Sequence, residues 1–71
     1  MTTLAFKLTH NAPTAKHYDI YRDGELRYTT RLYNTARGWF WKVYTVGEVP
    51  RPMTPSKLIV RHVNEILKEL E

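Results

Sequence analysis

The stretch Tyr28-Thr29-Thr30-Arg31-Leu32-Tyr33-Asn34-Thr35-Ala36-Arg37-Gly38-Trp39-Phe40-Trp41-Lys42-Val43 decides the fold. Its first half alternates Tyr28, Thr30 and Leu32 with Thr29, Arg31 and Tyr33. Its second half alternates Trp39, Trp41 and Val43 with Phe40 and Lys42. Period-two alternation of aromatic and β-branched residues marks strands that bury one face. Asn34 to Gly38 lies between them and is built of turn-forming residues, so the two halves predict a hairpin. A four-residue loop from Thr35 to Gly38 pairs Leu32 with Trp41 and Thr30 with Val43, and sets both tryptophans inside. A five-residue loop would bury Phe40 and expose both indoles instead. We prefer the first, because two indoles contribute most to a small core. It does place Arg31 opposite Lys42, an unfavourable like-charge pair.

Upstream, Tyr18 and Ile20 lie on a second strand that turns at Asp23-Gly24. A two-residue loop would oppose Ile20 with Arg27 and mix apolar with charged side chains. A three-residue loop, Arg22-Asp23-Gly24 with Gly24 left-handed, pairs Ile20 with Leu26, Tyr18 with Tyr28 and Asp19 with Arg27. Because a slip of one residue flips every side chain, the register that sorts the faces is expected. Further upstream, Leu4, Phe6 and Leu8 share one face of a first strand, and His10 to Lys16, with Asn11 and Pro13, reads as a loop.

Downstream, Gly47 to Thr54 contains Pro50 and Pro52 and reads as a stiff connector. Thr54 as N-cap and Pro55 at the first position signal a helix start. The helix carries Ile59, Val63, Ile66, Leu67 and Leu70 as its core-facing stripe, with Val60 at the edge. The expected fold class is therefore α+β: an antiparallel sheet of about four strands in a meander, with one C-terminal amphipathic helix packed on one face. Residues 1–71 make one domain. In layout alone, strands followed by one helix, the chain is similar to the arm-binding domains of phage integrases and to single-stranded-DNA-binding coactivator domains. No motif of either is matched residue by residue, so no property is carried over.

Composition narrows the function classes. With 71 residues and no cysteine, neither disulfides nor thiolate metal sites are available. A small secreted domain usually needs such staples, which points to a reducing, cytoplasmic setting. Met1 to His10 lacks the continuous apolar run of a signal peptide, and no stretch is apolar enough to span a bilayer, so no membrane is expected. The net charge is +4. From Pro55 onward, Lys57, Arg61 and Lys68 balance Glu65, Glu69 and Glu71. The eight cations and four acids of residues 1–54 therefore carry the whole excess, an asymmetry that bears on partners.

Enzyme readings find little. Ser56 is the only serine and sits where it would support the helix start. The acids are scattered, without a pair shaped for acid–base work. His10, His17 and His62 show no metal-ligand spacing, and the three glycines form no phosphate loop. No catalytic residue, cofactor or metal is expected. The sheet face away from the helix holds Lys7, Tyr21, Arg27, Arg31, Tyr33, Phe40, Lys42 and Tyr44, with Asp19 and His17 towards one edge. Cations there would neutralise phosphates and aromatic rings would stack on bases. Arg27, Arg31 and Lys42 are the expected phosphate contacts, and Tyr33, Phe40 and Tyr44 the stacking or groove-contacting residues of a non-enzymatic nucleic-acid-binding module. The alternative is a protein-binding regulator or inhibitor of phage or plasmid type. It would use the same patch against an acidic protein partner, or as a homodimer interface.

Overall fold

A computed structural model describes residues 2–70. Met1 and Glu71, the latter one of the three acids counted in the C-terminal charge balance, lie outside the described residues. The chain runs β1 (Leu4–Asn11), β2 (Ala15–Arg22), β3 (Glu25–Thr35), β4 (Gly38–Thr45), β5 (Pro52–Met53) and α1 (Lys57–Leu70). The strands form one antiparallel sheet in the order β1-β2-β3-β4-β5. The α+β class is as expected, and the sheet has five strands where about four were anticipated.

The fifth strand lies in the proline-rich connector. Met53 pairs with Val43 and Pro52 with Tyr44. The Thr45 N–H donates to the Arg51 carbonyl at 2.9 Å, and the Arg51 N–H donates to Thr45 Oγ1 at 3.1 Å. Proline is admissible here because β5 is an edge strand, where a missing N–H can face away from the ladder.

The β3–β4 hairpin has the expected register. Leu32 opposes Trp41, Thr30 opposes Val43, and Arg31 opposes Lys42. Its turn is tied by Thr35, whose Oγ1 donates to the Gly38 carbonyl at 2.7 Å and accepts the Arg37 N–H at 3.2 Å. The β2–β3 hairpin differs from expectation. Asp23 and Gly24 both have positive φ, 51° and 86°, and close a two-residue turn that pairs Arg22 with Glu25. That is the backbone twist two-residue hairpins favour. The parity conflict that argued against it is removed by a bulge. Tyr21 opposes Leu26 and Ile20 opposes Tyr28, which leaves Arg27 as an extra residue. Asp19 consequently faces Thr29 rather than Arg27, and Tyr18 faces Thr30 rather than Tyr28. Tyr28, Thr30 and Leu32 still point towards the helix. Asp23 also fastens the N-terminal segment: its N–H donates to the Thr3 carbonyl and its carboxylate accepts the Thr3 N–H, both at 2.8 Å.

The core lies between the sheet and α1. Ile20, Leu32, Val43, Ile59 and Val63 are buried, and Leu4, Phe6, Tyr18, Tyr28, Trp39, Trp41, Met53, Ile66, Leu67 and Leu70 pack round them. Both tryptophans face inward, as the chosen register requires. Leu8 is the exception on β1, at 44% exposed. Thr30 is wholly buried, and its Oγ1 donates to the Lys42 carbonyl at 2.9 Å, so its hydroxyl is satisfied.

The helix starts two residues later than Thr54 and Pro55 suggested. Ser56 Oγ accepts the Ile59 N–H at 3.4 Å, and the Val60 N–H donates to the Ser56 carbonyl at 3.0 Å. Ser56 is therefore the N-cap, with Pro55 just outside it. The stripe from Ile59 to Leu70 is the one read from the sequence.

Candidate functional site

Since α1 covers one sheet face, the other presents side chains in rows that cross the strands. The central row is His10 on β1, His17 on β2, Arg31 on β3 and Lys42 on β4, each the register partner of the next. On one side lies Ala15, Tyr33 and Phe40; on the other, Lys7, Asp19, Thr29 and Tyr44; beyond that, Ala5, Tyr21 and Leu26. At about 4.8 Å between neighbouring strands, the central row spans roughly 14 Å.

His10 reaches this row through a second bulge. The register shifts between Leu8 and His10, leaving Thr9 extra, so that His10 opposes His17. Sequence reasoning placed these histidines at the two ends of a loop. The loop is in fact only Ala12 to Thr14, closed by paired backbone bonds between Ala12 and Ala15 at 2.8 and 3.3 Å. The imidazole centroids are 4.8 Å apart. The His17 ring also meets the edge of Tyr33 at 6.4 Å. Burial, then His10, then the Arg31 charge hold the His17 pKa below its ordinary 6.5. The readable signal was the His10…His17 spacing round an Asn-Ala-Pro turn, which places two residues across a hairpin.

Arg31 and Lys42 resolve their like-charge opposition by leaning apart. The Arg31 guanidinium lies over Tyr44 at 5.2 Å from the ring centroid, and Lys42 Nζ lies over Phe40 at 5.8 Å. Each cation borrows the negative face of a neighbouring ring, and the two charges separate along the strand direction. A shallow hollow of about 160 Å³ opens over this region, lined by Thr9, His17, Tyr18, Asp19, Thr29 and Arg31. Its polar groups are mostly donors or hydroxyls, with Asp19 the one carboxylate.

Of the six residues singled out from sequence, Arg31, Tyr33, Phe40, Lys42 and Tyr44 share this face in contiguous rows. Arg27 stands apart. As the bulge residue it is 3.3 Å from the Glu25 carboxylate and lines a hollow at the β2–β3 tip with Arg22, Asp23 and Glu25. A half-neutralised cation there adds little to the central field. His62 belongs to the opposite side of the sheet: its ring stacks on Phe6 at 5.1 Å, 9° from parallel, and its Nδ1 lies 3.2 Å from the Leu58 carbonyl. Among the described residues no three His, Cys, Asp or Glu side chains come together as a metal-binding group. No helix among them is long and apolar enough to cross a membrane.

The chain matches no family model, no curated protein and no solved structure.

Proposed function

We propose that the chain is a non-enzymatic binding module that holds nucleic acid on its open sheet face. The observation that carries this reading is the row His10, His17, Arg31 and Lys42, which crosses four strands without a carboxylate. It is flanked by Tyr33 and Phe40 on one side and Tyr44 on the other. Cations interleaved with aromatic rings suit a single strand best: phosphates meet the row, and bases stack on the ring faces that Arg31 and Lys42 leave open. Arg31 and Lys42 supply the permanent charge, and His17 the titratable charge. Phe40, 52% exposed, is the most open stacking surface.

The exposure of Phe40 next to Tyr33 and Arg31 favours a second reading, a hot spot for an acidic protein partner. Fluorescence anisotropy of labelled single-stranded and duplex oligonucleotides across a salt series separates the two. Binding in the micromolar range or tighter, with a steep negative salt slope, supports the nucleic-acid reading. Absence of binding at low salt removes it and leaves the protein partner.

A further inference from the structure

The edges of the sheet are guarded unequally. On β1, Lys7 and the bulge at Thr9 interrupt the outer ladder, and β5 carries Pro52 with Pro50 just before it. Charges, bulges and prolines of this kind keep edges from recruiting another strand. The outer side of β4 has no such device before β5 begins to cover it. β5 pairs only with Val43 and Tyr44, and the Thr45 N–H turns towards it to meet Arg51. In an antiparallel strand alternate residues present N–H and C=O to the same side. Trp39 and Trp41 therefore direct theirs outward, past the end of β5. At Trp41 an apolar groove of about 460 Å³ opens between β4 and the β5–α1 segment, lined by Trp41, Val43, Pro52, Met53, Thr54 and Pro55, together with Lys42.

We propose that this edge is a docking site for an extended acidic peptide, which adds a strand to β4 along Trp39–Trp41. Only another extended backbone matches alternating donors and acceptors at strand spacing. The added strand would send every second side chain to the helix side, and at Trp41 an apolar one such as valine would bury its methyls in the groove. The side chains between would emerge on the open face beside Lys42, where carboxylates are favoured. The occupant is thus a segment that alternates apolar and acidic residues. A second copy of this chain fits poorly, because its sheet portion carries the whole +4 and would bring cations against Lys42.

The test uses short blocked peptides of alternating valine and glutamate, or valine and lysine, titrated into isotopically labelled protein. The Val/Glu peptide should shift the backbone amides of Trp39 and Trp41 and slow their hydrogen exchange. The Val/Lys peptide should bind about tenfold more weakly, and Lys42→Glu should reverse the order. Lys42 is exposed, so that variant keeps the fold. Shifts confined to other residues, equal binding of both peptides, or no binding would each overturn the proposal. So would protection of the same two amides by the protein alone as its concentration rises, since a second copy would then fill the edge.

Discussion

Arg31→Gln isolates the permanent charge at the centre of the row. Above pH 7, where histidine is ordinarily neutral, the open face counts Lys7, Arg31 and Lys42 as its cations, and Asp19 opposes Lys7 across β1 and β2. Each neutralised phosphate contributes about 0.7 to the salt slope for a single strand, so three contacts give a slope of about −2. If Asp19 holds Lys7 to itself, the slope is nearer −1.4, again at about 0.7 per contact. Arg31→Gln should lower the magnitude by about 0.7 on every sequence tested, because a phosphate contact reads charge rather than base. The glutamine keeps much of the length and leaves the fold intact, since Arg31 is exposed. The assay is anisotropy with a labelled single strand at several salt concentrations, alongside a thermal melt of the variant. A variant that melts like the parent and binds with an unchanged salt slope would refute the assignment of Arg31 to phosphate.

Three further outcomes are expected. With its pKa below 6.5 in the fold, His17 takes up a proton less readily than in the unfolded chain. Stability should therefore be complete above pH 6.5 and fall as pH drops from there towards the lowered value. A bound phosphate favours the charged ring, so oligonucleotide affinity should rise over that same interval, and His17→Asn should flatten both trends in urea melts and anisotropy. Ser56→Ala should lower stability by about 0.5–1 kcal/mol, the lower half of the N-cap range given its long 3.4 Å bond. Thr54→Ala should leave the melting temperature unchanged; the reverse result would restore Thr54 as the cap. Deleting Arg27 should remove the bulge, keep Ile20 opposite Tyr28, and change stability by less than about 1 kcal/mol in chemical denaturation. Deleting Thr29 instead absorbs the bulge by turning Tyr28 to the open face and Arg27 towards the core opposite Ile20, and should destabilise the protein far more.

The contrast between those deletions shows what could be read from sequence. The β3–β4 register was legible because the inward set, Thr30 and Leu32 against Trp41 and Val43, has no competing arrangement that also buries both indoles. The helix stripe was legible for the same reason, five apolar residues at helical spacing. Arg27 misled because a bulge leaves no trace in a period-two pattern. Alternation simply fails there, and a longer turn accounts for that failure equally well. β5 was hidden by its prolines, which argue against a central strand but not against an edge. The helix start was blurred because Thr54-Pro55 and Ser56 give equally good local signals, and only the bond to Ile59 separates them. At the candidate site, Arg31, Tyr33, Phe40, Lys42 and Tyr44 followed from one correct register. His10 and His17 were seen individually but not as neighbours, since that needed the short turn and the Thr9 bulge together.

The unbroken strand order has a consequence for how the chain acquires its shape. Every ladder joins segments adjacent in sequence, so each hairpin can zip without waiting for a distant partner, and low contact order of this kind goes with fast folding. The helix is the exception. Ile59 and Val63, two of the five buried apolar residues among those described, arrive only after the whole sheet. During synthesis the sheet emerges before the helix, with its tryptophans facing water, and the fourteen-residue helix acts as a clasp that closes over them.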